Sequence, residues 1–156
     1  MTLQNRLQQD MQAAIRERDE LRRDTLRMVI AAAYNAQKHA GRDLSDDEVV
    51  TVLSREVKTR RESVEVFAAA GRTEAADKEQ AEIGIISAYL PEQIDPDELA
   101  RIVARSVEES GATSPREMGK VMAVLMPKVK GRADGKQVSA LVAQELTKRD
   151  LAGHGH

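Results

Sequence analysis

Apolar side chains recur every three or four residues along almost the whole chain, the spacing that gathers them on one side of an α-helix. Leu3, Leu7, Met11, Ala14 and Ile15 make a first stripe; after a charged turn at Arg18 to Glu20, a second passes through Leu26, Val29, Ile30, Ala33 and Tyr34 and stops at Gly41. Ser45 and Glu48 then form a capping box, in which hydroxyl and carboxylate each satisfy a backbone N–H that a first helical turn leaves free. It opens a third helix with Val49, Leu53, Val57, Val64 and Phe67 inward. Gly71 is placed as a left-handed stop and Thr73 as an N-cap, and a fourth helix is expected to run to about Tyr89.

Leu90-Pro91 is the strongest break, because proline drives the preceding residue out of helical geometry and has no N–H to donate. Beyond it, Asp95-Pro96-Asp97-Glu98 combines an acidic cap with proline at the first helical position. That helix places Leu99, Ile102, Val103, Ser106 and Val107 inward and ends at Gly111. Ser114-Pro115-Arg116-Glu117 repeats the start signal for a short helix burying Met118, Val121, Met122 and Leu125, with Pro127 as its end. A last helix, from about Gly135 to Lys148, buries Val138, Leu141, Val142 and Leu146. The pattern therefore predicts an all-α fold: an N-terminal domain of about four helices over residues 1–90, a compact three-helix module over 91–150, and a disordered tail over 151–156.

Composition agrees. Aromatic residues make up 2% of the 156 and apolar residues 41%, so the core has to be aliphatic, and the abundance of unbranched Glu, Gln, Lys and Arg favours helix over strand. With no cysteine, disulfides and thiolate chemistry are excluded. The polar N-terminus lacks a signal-peptide core and the apolar runs are too short for a membrane span, so a soluble, cytoplasmic protein without membrane contact is expected.

Charge is where the chain departs from uniformity. Ser114 to Lys136 holds six Lys or Arg (Arg116, Lys120, Lys128, Lys130, Arg132, Lys136) against Glu117 and Asp134, a local balance of +4 in a chain whose net charge is −2. Lys128, Lys130 and Arg132 alternate with Val129, Gly131 and Ala133 in what reads as a turn between helices, where Gly119, Gly131 and Gly135 let backbone approach a ligand. Lys136 opens the last helix, where free N–H groups favour phosphate. The bland alternative is a solvated connector whose lysines pair with Asp134 or Glu117. The absence of aromatics from the segment points to phosphate contacts in place of base stacking. Gly131 to Lys136 is not a phosphate-binding P-loop, since its glycines are one residue too close and Gln137 follows the lysine in place of Ser or Thr.

Arg55, Lys58, Arg60 and Arg61 on the third helix are a candidate second basic surface, weighed against an ion-paired face supplied by Glu56, Glu62 and Glu65. Asp46, Asp47 and Glu48 read as helix-dipole partners, and no metal site is expected. His39 lies at a helix end with no nucleophile or orienting acid recognisable beside it, so no catalytic residue is assigned and no cofactor is expected. Met118, Met122 and Met126 read as core filler.

Laid out in this way, the chain resembles the YqeY family, whose C-terminal half is similar to the tail domain of the B subunit of glutamine-dependent tRNA amidotransferases. The resemblance is carried by Arg55-Glu56-Val57-Lys58, Arg60-Arg61-Glu62-Ser63, Ala70-Gly71-Arg72 and Leu90-Pro91-Glu92-Gln93. It is carried above all by Glu117-Met118-Gly119-Lys120-Val121-Met122 and the run from Leu125 to Gly135, LMPKVKGRADG. Glu117 stands where the family tends to have Asp, and Ala123 where Gly is usual. The resemblance implies two helical parts and, for the amidotransferase tail, contact with the outer corner of tRNA; it brings no active site.

Three functions follow as expectations. The first is a non-catalytic, tRNA-associated accessory protein, linked to translation, that presents Lys128, Lys130, Arg132 and Lys136, with Lys120 extending the patch, to tRNA phosphates. The second is a protein-interaction adaptor using the Met-containing turn or the N-terminal hairpin, with a protein partner and no nucleic acid. The third is a component of a carbon-nitrogen ligase (amidotransferase) with glutamine as amido donor; catalysis by this chain itself would need an activated nucleophile and an ATP site, and the sequence shows neither.

Overall fold

The computed structural model describes residues 1–154, which form seven α-helices, one 3-10 turn and no strand. The chain divides into two compact units, Met1–Pro91 and Glu92–His156.

The first unit comprises α1 (Leu3–Arg16), α2 (Glu20–Ala40), α3 (Asp46–Ala69) and α4 (Thr73–Ser87). Helix α3 packs along α4, α1 along α2, and α2 also meets α3 and α4. The core is aliphatic: Leu7, Leu26, Val29, Val49, Leu53, Val57, Ile83 and Ile86, closed by Tyr89. Tyr89 donates a short hydrogen bond to the Asp10 carboxylate and lies under the Arg6 guanidinium. Burial and that bond push its phenol above the ordinary value. The capping box is complete: Glu48 N–H donates to Ser45 Oγ at 3.2 Å, and Ser45 N–H donates to Glu48 Oε1 at 3.0 Å.

Differences from the spacing-based reading are local. Ile15 and Tyr34, placed on inward stripes by periodicity, are exposed. The N-cap of α4 is Arg72, not Thr73, and it makes no side-chain cap bond; its guanidinium lies 5.0 Å above the Phe67 ring.

The second unit comprises α5 (Pro96–Ser110), a 3-10 turn (Pro115–Glu117), α6 (Met118–Val129) and α7 (Gly135–His154). Asp95 accepts the Asp97 N–H and Pro96 fills the first helical position, while Gly111 closes α5 with φ +74°, a conformation costly for a residue with a Cβ. Its core gathers Leu99, Val103 and Val107 with Val121, Leu125, Val129, Val138, Val142 and Leu146. Met118 and Met122 pack against it as core filler, but Met126 is exposed.

Three expectations are corrected here. The Ser114 start signal produces a 3-10 turn that runs into α6, and Ser114 makes no side-chain cap bond. Pro127 does not end α6 but sits inside its last turn, where it forgoes the N–H bond to the Ala123 carbonyl and the helix runs only as far as Val129. Helix α7 continues through Leu151 to His154, which were expected in a disordered tail; Gly155 and His156 lie outside the described residues.

Candidate nucleic-acid interface

The bend between α6 and α7 is held at both ends by the core: Val129 and Val138 are buried, and residues 130–137 lie between them. Gly131 makes the reversal with φ +73°, in the left-handed region. Of the three glycines read as turn residues it alone has that role. Gly119 is inside α6 and Gly135 begins α7, and a Cβ added at either would meet nothing within 4 Å.

The five cations of the sequence reading fall into distinct settings. Lys120 and Lys128 both belong to α6, eight residues or about 12 Å of helical rise apart, so Lys128 is helical and not part of the turn. Each has an acidic neighbour in its own chain: Lys120 Nζ lies 3.7 Å from Glu117, and Lys128 Nζ lies 2.9 Å from Glu109 of α5. Both lysines are solvent-exposed, as is Glu109, while Glu117 is half-buried; surface pairs of this kind contribute about 0–1 kcal/mol, so phosphate can replace the Glu109 carboxylate at little cost. Lys130 and Lys136 are exposed, and neither has an ion-pair partner among the described residues.

Arg132 is half-buried and points its guanidinium at main-chain carbonyls, with Nε 3.0 Å from Glu92 O and Nη1 3.4 Å from Lys128 O. Neutral carbonyls orient the group but leave its charge in place. The start of α7 differs from the expected free anion site. Asp134 Oδ1 accepts the Lys136 N–H at 3.2 Å, so the helix supplies its own anion to its positive end. Sequence reasoning missed this cap, although an acid two residues before the first helical N–H groups is its ordinary signature. It also missed Gln93, whose amide donates to Gly131 O at 2.9 Å.

The proposed second surface on α3 loses its central member. Arg60 is 7% exposed: its Nε donates to Glu82 Oε2 at 3.2 Å and its Nη1 to Glu56 Oε2 at 3.1 Å. Glu82 is buried as well, and nearby Glu79 is held above the ordinary carboxylate range by burial and by the Glu82 charge. Arg55 and Lys58 remain exposed and Arg61 is half-buried, on a helix whose exposed positions also include Glu62 and Glu65.

A family model described as Yqey-like protein matches residues 4–146, which covers both units and the whole basic bend. The chain belongs to this family. A relative from Pyrenophora tritici-repentis, "Altered inheritance of mitochondria protein 41, mitochondrial", is 30% identical over 145 residues, 89% of this chain and 78% of the relative. Proteins of the same name from Lachancea thermotolerans and Eremothecium gossypii are each 31% identical over 85 residues, 54% of this chain. In both, the match spans 46% of the relative's own length. The YqeY fold described here thus extends over nearly the full chain. Among the described residues no helix is long and apolar enough to cross a membrane.

Proposed function

We propose that this YqeY-family chain is a non-catalytic accessory protein that handles tRNA, engaging its phosphates from the bend between α6 and α7. The observation that supports the reading most is the pair Lys130 and Lys136, exposed and without carboxylate partners, on a segment fixed between two buried valines. A rigid mount means that little ordering entropy opposes contact with a polyanion. Lys128 adds to the site by exchanging Glu109 for phosphate. With no aromatic side chain between Ser114 and Lys136, recognition runs through backbone charge and shape, and base specificity is low.

The cytoplasmic placement read from the sequence belongs to this proposal, while the curated relatives carry a mitochondrial designation in their own names. The adaptor reading also has an observation in its favour. A groove of about 600 Å³ on the first unit is lined by Leu7, Met11, Ile30 and Tyr34 among glutamines and Arg27.

Isolation of the full chain from its native cells with and without nuclease separates the two readings. The tRNA reading expects small RNA to copurify and to be lost from a Lys130→Glu, Lys136→Glu variant. Protein partners retained after nuclease, with no RNA in either preparation, would favour the adaptor.

A further inference from the structure

We infer that Arg132 is a positioning residue, a clamp that keeps the basic bend in shape so that Lys130 meets phosphate; the inference rests on the tRNA reading above. In an uninterrupted helix the Lys128 carbonyl would accept the N–H of residue 132, but that N–H goes to Val129 O at 2.8 Å. The Arg132 side chain supplies the missing donor to Lys128 O and, through Nε, reaches across to Glu92 O. Two further bonds fasten the bend to the same stretch of chain: Ile94 N–H donates to Arg132 O at 2.9 Å, and Gln93 Nε2 donates to Gly131 O at 2.9 Å. Ile94 is itself packed in the core. The stretch Glu92 to Ile94 therefore serves as a rail on which the reversal at Gly131 is held, and Arg132 is the side chain that grips it from the bend. Lysine cannot take this place, because its single ammonium lacks the fixed fork that addresses two carbonyls at once. Lys130, next to the reversal and free of such bonds, is the cation so presented.

The test is equilibrium binding of bulk tRNA by the full chain over a salt series. Lys130→Gln is expected to lower the slope of log affinity against log salt by about 0.7 to 0.9, the loss of one phosphate contact. Arg132→Gln and Arg132→Lys are both expected to weaken binding several-fold while keeping the slope of the unsubstituted chain. Gln93→Ala, which removes no charge and keeps Arg132, should likewise weaken binding at constant slope. A slope lowered by Arg132→Gln as much as by Lys130→Gln, and restored by Arg132→Lys, would make Arg132 a phosphate contact and overturn the inference. Undiminished affinity in Gln93→Ala would also overturn it. Absence of tRNA binding by the unsubstituted chain is a separate result, because it removes the tRNA reading itself.

Discussion

Four neighbouring cations on α3, Arg55, Lys58, Arg60 and Arg61, look alike in the sequence, yet one of them is buried and bonded to two glutamates. Removing the cation from such a cluster leaves buried Glu82 without its positive partner, and Arg60→Ala is expected to destabilise the protein by about 3–5 kcal/mol in a denaturant titration. A cost below about 1 kcal/mol would mean that the pair is effectively solvated. The signal that singles out Arg60 was present in the pattern. The stripe Val49, Leu53, Val57, Val64, Phe67 skips one helical position, and Arg60 fills it, three residues after Val57 and four before Val64. Charge type alone suggested a surface; periodicity carried the better information. The same holds at the bend, where a row of Lys and Arg gives no indication of which cations have carboxylate neighbours. That depends on α5, which brings Glu109 beside Lys128.

Helix ends were legible where their chemistry is local. Ser45 with Glu48 and Asp95 with Pro96 start helices, and the glycines at 41 and 111 end them in a left-handed conformation open to a residue without a Cβ. Two other ends were not legible: Pro127 sits inside α6, and α7 runs past Lys148 to His154. Ser45→Ala is expected to cost about 1 kcal/mol by stranding the Glu48 N–H. Glu48 adds a pH dependence at the same helix end. The Arg42 guanidinium and the Ser45 N–H hold its carboxyl at about 2, below the ordinary 4.5. A lowered folded-state pKa means that its stabilising contribution is complete above the ordinary value and is lost as pH falls toward 2. Thermal unfolding should show Glu48→Gln less stable than the unsubstituted chain at neutral pH, with the gap closing in that acid window. A gap of constant size would contradict this origin.

At the level of the whole molecule, the all-α class was readable because aliphatic periodicity and a near absence of aromatics leave few other ways to build a core. Each of the two units closes its own aliphatic core. The proposed tRNA contact was less legible, since family membership extends over residues 4–146 while that proposal turns on which surface cations lack carboxylate neighbours. The central claim is that RNA contact lies at the α6–α7 bend and not on α3. Its most direct test is the affinity of the full chain for tRNA at about 0.15 M salt, where the Debye length is about 8 Å, compared between two double charge reversals. Lys130→Glu with Lys136→Glu is expected to weaken binding by more than about tenfold. Arg55→Glu with Lys58→Glu, equal in charge change, is expected to leave it within about twofold. Equal losses in the two variants, or a larger loss on α3, would contradict the account.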